Sequence, residues 1–182
     1  DAAIIFSDIL LIPHMLGFNV SFIKDKGPIL KKLNLGEKVT FNDWKKFKSD
    51  LAPVGEAINL SKAKLNKNVN SRNTPIIGFS GSPWTLFTYL TEGQSSKDFS
   101  NARKFLWSNT HGSEEVFEIL VQAIICFLEI QLEAGVDAIM LFDSWAGSIP
   151  ARFRNKFIYE PTRKIVQYMK TKNASIPIIC FP

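Results

Sequence analysis

Cysteine and histidine are scarce in this sequence, with two of each among 182 residues. Cys126 and Cys180 lie far apart in apolar surroundings, whereas a disulfide framework needs denser and more regular cysteine usage. Zinc sites with thiolate ligands need spacings such as His-x-Cys or Cys-x-x-Cys, and the residue two positions before Cys180 is Ile178. The sequence therefore predicts neither disulfides nor a metal site, and it is typical of a reducing, cytoplasmic environment.

Long uninterrupted apolar runs are also missing. The most apolar stretch, residues 116–132, contains the polar residues Glu118, Gln122, Glu129 and Gln131, which predicts a core helix with a polar stripe rather than a membrane span. The chain begins with no initiator Met and no basic signal region, and it stops inside an apolar run at 178–182. We therefore expect a segment of a larger protein, with no membrane partner.

Dense basic runs of the kind that bind nucleic acids are missing as well. Twenty-two Lys and Arg against 17 Asp and Glu give a net charge of +5, and the basic residues are scattered in short clusters. Such scattering, without interleaved aromatic residues, predicts no nucleic-acid partner. The positive balance is compatible with an anionic ligand.

Four short apolar runs, at residues 2–6, 75–80, 137–142 and 177–181, predict buried parallel strands, because they do not alternate with polar residues and helical segments separate them. Strand and helix in this order occur both in doubly wound sheets and in (β/α)8 barrels. A doubly wound nucleotide fold usually carries a G-x-G-x-x-G turn after its first strand, and none follows here. The prediction is an α/β chain, one domain over 1–182, forming roughly half of a (β/α)8 TIM barrel, since complete barrels need about 250 residues.

Helix boundary signals are clear in three places. Ser82-Pro83 predicts the start of a helix that runs to Glu92 and ends at Gly93. Ser113 predicts the start of the longest helix, which Gly135 ends. On the side of this helix that should pack on the sheet, apolar residues recur at helical spacing: Val116, Leu120, Ile124, Phe127 and Leu128. Residues 151–172 predict helix interrupted at Pro161, while 8–42 predict a long loop and 66–73 a solvated connection.

Reactive groups in parallel α/β folds gather where strands end. This rule selects Asp8 after the first strand, the turn 80–82 after the second and Asp143-Ser144 after the third. Asp8 lies between apolar neighbours, and two interpretations are open. It is a structural residue, either a helix cap or part of an ion pair. Alternatively, its carboxylate accepts hydrogen bonds from N–H groups of a ligand or stabilises a developing cation. No histidine is placed to activate Ser144 as a nucleophile.

Three segments at these positions closely resemble the uroporphyrinogen decarboxylase family: Asp1 to Leu10 (DAAIIFSDIL), Gly78 to Tyr89 (GFSGSPWTLFTY) and Leu141 to Gly147 (LFDSWAG). The resemblance implies a cytoplasmic, homodimeric (β/α)8 barrel of haem biosynthesis. It also implies removal of the carboxyl groups of four acetate side chains from uroporphyrinogen III, giving coproporphyrinogen III without a cofactor.

The resemblance further implies roles for six residues. Asp8 matches the aspartate that accepts hydrogen bonds from the pyrrole N–H groups and stabilises the cationic intermediate. Tyr89 and Ser144 match substrate-binding residues, although core packing is the alternative for Tyr89. Ile4, Phe79 and Phe142 would line the apolar part of the cleft. The family's early Arg-Gln-Ala-Gly-Arg segment and its late histidine are absent from this sequence, so we expect the chain to be inactive on its own.

Two alternative functions remain open at this point. A corrinoid-dependent methyltransferase shares the same barrel superfamily, but it uses zinc to activate a thiol, and the His-x-Cys pair is missing before Cys180. A barrel that holds an anionic tetrapyrrole without turning it over is the second alternative.

Overall fold

The computed structural model describes residues 2–5, 7–24 and 27–182. Within these residues the strands are Ala3–Ile4 (β1), Ser21–Ile23 (β2), Gly27–Ile29 (β3), Ile76–Gly81 (β4), Ala138–Phe142 (β5) and Ile178–Phe181 (β6). The helices are Leu11–Pro13 (α1), Trp44–Lys67 (α2), Pro83–Glu92 (α3), Ser100–Ser108 (α4), Thr110–Glu133 (α5) and Glu160–Lys172 (α6), besides shorter turns.

Four strands of this described part form one parallel sheet in the order β1-β4-β5-β6. They correspond to the four apolar runs, and the α/β class predicted from the sequence is confirmed. The predicted end of the first strand at Phe6 lies outside the described residues. A parallel sheet whose spatial order follows the chain order, with helices between the strands, is consistent with part of a (β/α)8 barrel.

The predicted helices agree with the structure in their positions and differ at some ends. Helix α3 has the predicted bounds, and Gly93 ends it in the left-handed conformation at φ 75°. Helix α5 begins before Ser113, because the Asn109 side chain caps it by accepting a hydrogen bond from the Gly112 N–H. Pro161 lies in the first turn of α6, as its position predicts, but the π-helical turn Asn155–Tyr159 continues directly into α6, so the predicted interruption at Pro161 is wrong.

Other expectations were wrong. Region 8–42 is not one loop, since it holds α1 and the antiparallel pair β2 and β3. Helix α2 continues to Lys67, past the predicted start of the solvated connection, and it has 24 residues, as many as α5. Helices α2 and α4 were not predicted.

The two faces of the sheet have different environments. One face packs on α5, and its side chains Ile76, Ile139 and Leu141 are fully buried. On this face Gly78 lies very close to Gln131, since a Cβ added to Gly78 would lie 2.7 Å from Gln131 Oε1. The Gln131 side chain also accepts from the Phe79 N–H at 2.8 Å and donates to the Phe79 carbonyl at 2.9 Å. The opposite face, which we call the inner face, carries the alternate side chains.

No helix in the part of the chain that the structure describes combines the length and the apolar character needed to cross a membrane.

Candidate active site

The three apolar residues expected in the cleft share the inner face. Ile4 is in register with Ile77 on β4, and alternation along β4 places Phe79 on the same face. Gly81 is in register with Phe142 on β5, so Phe142 joins them. The rings of Phe79 and Phe142 meet edge to face at 5.6 Å, and Phe142 meets Phe181 of β6 at 6.0 Å. An apolar surface thus crosses the sheet near the carboxyl ends of its strands.

Asp8 follows β1 at this same end of the sheet. It is half-buried, and its Oδ1 accepts a hydrogen bond from the Leu10 N–H at 2.8 Å, at the start of α1. This is a local turn just before α1, whose N-cap residue is Leu10 and which has no side-chain cap, so the capping interpretation is wrong. Among the described residues, none donates a hydrogen bond to Oδ2. Asp8 also lines a cavity of about 310 Å³ with Leu11, Val20 and Phe22.

Tyr89 lies on α3, half-buried, and close enough to Asp8 to sense its charge. Burial raises the pKa of the Tyr89 hydroxyl, a hydrogen bond with the Trp145 side chain lowers it, and the negative charge of Asp8 raises it again. The structure thus brings Asp8 and Tyr89 together electrostatically.

Ser144 is exposed and lies in the loop after β5, between Asp143 and Trp145. Because the Trp145 backbone N–H donates to Thr85 Oγ1 at 3.3 Å, the loop that carries Ser144 is attached to the helix that carries Tyr89. The Trp84 indole N–H donates to the Trp145 carbonyl at 2.8 Å and strengthens this attachment.

Sequence reasoning noted Asp143 but missed its partner, Thr85. The Thr85 hydroxyl donates to Asp143 Oδ1 at 2.9 Å, and the Trp145 N–H donates to Thr85 Oγ1 at 3.3 Å. Asp143 is only 7% exposed, and burial raises the pKa of its carboxyl to about 6, although the hydrogen bonds with Thr85 lower it. The one available signal was that Thr85 lies four positions before Tyr89, on the same helical face.

The turn 80–82 has a structural use in the sheet. The Ser82 N–H donates to the Phe142 carbonyl at 2.8 Å, and the Ser80 hydroxyl donates to the Gly81 carbonyl at 3.0 Å. The Ser82 amide is therefore committed to the contact between β4 and β5 instead of facing an anion.

Potential metal ligands do not converge within the described ranges 2–5, 7–24 and 27–182, where no three side chains of His, Cys, Asp or Glu lie together. Both cysteines are free, Cys126 buried and Cys180 exposed.

A parallel sheet with an apolar inner face, and with polar side chains where its strands end, defines an α/β protein and is consistent with part of a (β/α) barrel. More narrowly, the chain belongs to the uroporphyrinogen decarboxylase family, since the family model described as "Uroporphyrinogen decarboxylase (URO-D)" matches residues 1–182.

Curated relatives agree with this membership. Uroporphyrinogen decarboxylase of Rickettsia bellii is 39% identical over the whole chain, which covers 52% of that relative. The protein of the same name from Gluconobacter oxydans is 36% identical, with 50% of its length covered. The one from Helicobacter pylori is 38% identical, with 52% covered. The chain thus spans about half the length of these relatives, and the matches do not favour the methyltransferase or the non-catalytic alternative.

Proposed function

We propose that the protein carrying this chain is a carboxy-lyase that converts uroporphyrinogen III into coproporphyrinogen III by removing four acetate carboxyl groups. The observation that carries the proposal is the Asp8 carboxylate, half-buried at the carboxyl end of β1 within electrostatic range of Tyr89. Family membership over residues 1–182 supports the same reaction.

The chemistry needs an electron sink and a fixed negative charge. Protonation of a pyrrole carbon makes the ring electron-deficient, so that it accepts the electron pair of the breaking C–CO₂ bond. Loss of CO₂ leaves an enamine with an exocyclic methylene carbon. A second proton adds to that carbon and forms the methyl group, and loss of the first proton from the ring carbon restores the pyrrole. The substrate thereby supplies the sink that a cofactor otherwise provides. Asp8 would accept pyrrole N–H hydrogen bonds and stabilise the cation, because a preorganised carboxylate in a partly buried site acts more strongly than one in water.

Substrate binding would combine apolar and polar contacts. Ile4, Phe79 and Phe142 offer the tetrapyrrole an apolar surface on the inner face, while the hydroxyls of Tyr89 and Ser144 would contact its carboxylates. Neither a metal nor an organic cofactor enters this scheme. We further propose that the complete protein is a cytoplasmic homodimer whose partner is this anionic tetrapyrrole, with neither nucleic acid nor membrane involved.

An anaerobic assay of the complete protein tests the proposal. Uroporphyrinogen III is the substrate, and the products are oxidised to porphyrins and separated by carboxylate number. The expected result is stepwise loss of four carboxyl groups, with coproporphyrin III as the final product. Binding of the substrate without loss of carboxyl groups would overturn the proposal in favour of a non-catalytic barrel, and stoichiometric zinc with methyl transfer would favour the methyltransferase.

A further inference from the structure

A chain of hydrogen bonds joins the loop after β5 to helix α3. We call it the Asp143 relay. The backbone N–H of Trp145 donates to Thr85 Oγ1 at 3.3 Å, and the Thr85 hydroxyl donates to Asp143 Oδ1 at 2.9 Å. Thr85 is fully buried and Asp143 is 7% exposed. Because burial strengthens hydrogen bonds and makes unpaired polar groups costly, these three residues are held in one arrangement.

The direction of the relay is fixed by the partners. A threonine hydroxyl has a single proton, and in Thr85 that proton goes to Asp143, which leaves the oxygen to accept from Trp145. A carboxylate is a stronger acceptor than a neutral carbonyl. The hydrogen bond to Asp143 therefore orients the Thr85 hydroxyl so that its oxygen can accept from the Trp145 backbone N–H in the β5 loop.

Both proposed substrate-binding hydroxyls lie next to the relay. Tyr89 is one helical turn beyond Thr85 on α3, and its hydroxyl lies near the Trp145 side chain. Ser144 is covalently placed between Asp143 and Trp145. The relay thereby sets the position of the Ser144 loop relative to the Tyr89 hydroxyl.

We propose that Asp143 and Thr85 are positioning residues for substrate binding, which hold Tyr89 and Ser144 at the separation that the substrate carboxylates require. This inference rests on the proposed function for the identity of the substrate. Neither Asp143 nor Thr85 contacts the reacting atoms in this proposal, because Asp8 is the residue that contacts them.

Thr85→Val in the complete protein tests the inference, because valine keeps the shape of threonine and removes the hydroxyl. The KM for uroporphyrinogen III should rise about tenfold, the effect of one lost buried hydrogen bond, while kcat changes less than about twofold. Thr88→Val is the matched control: Thr88 is equally buried on α3, but its hydroxyl donates only to the Thr85 carbonyl at 2.7 Å. Its KM should stay at the wild-type value, and Thr85→Ser should restore the KM that valine raises.

Equal KM values for Thr85→Val and Thr88→Val would overturn the inference. If Thr85→Val does not fold, Thr85→Ala replaces it, since alanine also removes the hydroxyl that links the Trp145 backbone N–H to Asp143 and should raise KM in the same way. An unchanged KM in that variant would likewise count against the relay.

A measurement without substrate separates this inference from the proposed function. NMR titration of the Asp143 carboxyl should show a pKa that rises further in Thr85→Val and not in Thr88→Val, because only the first variant loses the donor. The other charged or titratable groups around Asp143 are Cys180 on β6 and, lining the same cavity, Arg154, Tyr159 and Arg163, none of which these variants alter. An unmoved Asp143 pKa refutes the relay itself, whereas a wild-type protein without decarboxylase activity refutes only the proposed function.

Discussion

Asp143 is a buried acid whose protonation is linked to folding. Burial raises the pKa of its carboxyl from 3.8 to about 6, even with Thr85 as a donor. The native state therefore holds this proton more tightly than the unfolded chain does. The resulting stabilisation is complete below pH 3.8 and is lost as the pH rises to about 6.

Asp143→Asn should reveal this linkage, because asparagine keeps the acceptor for Thr85 and cannot ionise. Relative to the wild type, the free energy of unfolding of the variant should increase by about 2 kcal/mol between pH 4 and pH 7, which follows from a shift of about two pKa units that is not complete at pH 4. Denaturant unfolding of both proteins at these two values measures it. Any offset that does not depend on pH cancels, and a difference that stays constant with pH would contradict a raised pKa.

Tyr89→Phe examines the role of a single hydroxyl. Loss of the phenolic oxygen removes a proposed contact with a substrate carboxylate. We expect a rise in KM equivalent to about 1–3 kcal/mol of binding free energy, measured by steady-state kinetics on uroporphyrinogen III. The exposed Tyr159 offers the matched control, Tyr159→Phe, with an unchanged KM. Wild-type affinity in Tyr89→Phe would assign Tyr89 to core packing.

At the scale of helices, Glu129 joins three elements on the outside of the sheet. From α5 it accepts hydrogen bonds from Lys48 of α2 at 3.1 Å and from Tyr168 of α6 at 2.8 Å, and it forms an ion pair with Lys172 of α6 at 3.1 Å. Burial works to raise the pKa of the Glu129 carboxyl, but these partners lower it below its ordinary value. Glu129 thus stabilises the fold above that ordinary value, and the contribution disappears as the pH falls.

Glu129→Gln should lower the free energy of unfolding at pH 7 by about 1–3 kcal/mol, as expected for hydrogen bonds to a charged group. The loss should shrink at pH values below the ordinary pKa of a glutamate. Glu118→Gln is the matched control on the same helix, since its ion pair with Lys164 is exposed and such pairs contribute about 1 kcal/mol or less. Equal losses in the two variants would show that Glu129 does not join the helices.

The elements that sequence patterns predicted are those whose signals are local. A proline after a cap residue predicted α3, and apolar runs predicted the parallel strands. Helix α2 was missed because Pro53 lies inside it and normally interrupts a helix. The buried residues Phe47, Leu51, Gly55 and Ile58 recur at helical spacing around that proline, and their packing, with Gly55 against Ile130 of α5, outweighs the local penalty.

At the scale of the whole molecule, the inner face is incompletely covered in the 182-residue chain. Ile4 and Ile179 are each 41% exposed and Phe181 is 54% exposed on it. Open strand edges and exposed apolar faces favour association between chains. The chain expressed alone should therefore self-associate in sedimentation velocity, and Phe181→Ser should reduce the association. A monomer at every concentration tested would contradict this expectation.

The site could be predicted in part for a geometrical reason. The carboxyl ends of parallel strands meet at one edge of a sheet, so Asp8 and Ser144 were selected from their positions after strands. The Asp143 relay could not be predicted, because its partners Thr85 and Asp143 are 58 positions apart and meet only when α3 packs beside the β5 loop. The proposed roles of Ile4, Phe79 and Phe142 remain predictions, although the three share the inner face.

The negative charge of Asp8 is central to the proposed decarboxylation, and Asp8→Asn in the complete protein tests it most directly. Asparagine can still accept the Leu10 hydrogen bond, so the thermal midpoint should not change, while kcat for uroporphyrinogen III should fall about 10²- to 10³-fold or more, the scale of losing a preorganised charge contact. Asp50→Asn, on the exposed side of α2, should keep full activity. Wild-type turnover by Asp8→Asn would contradict the account.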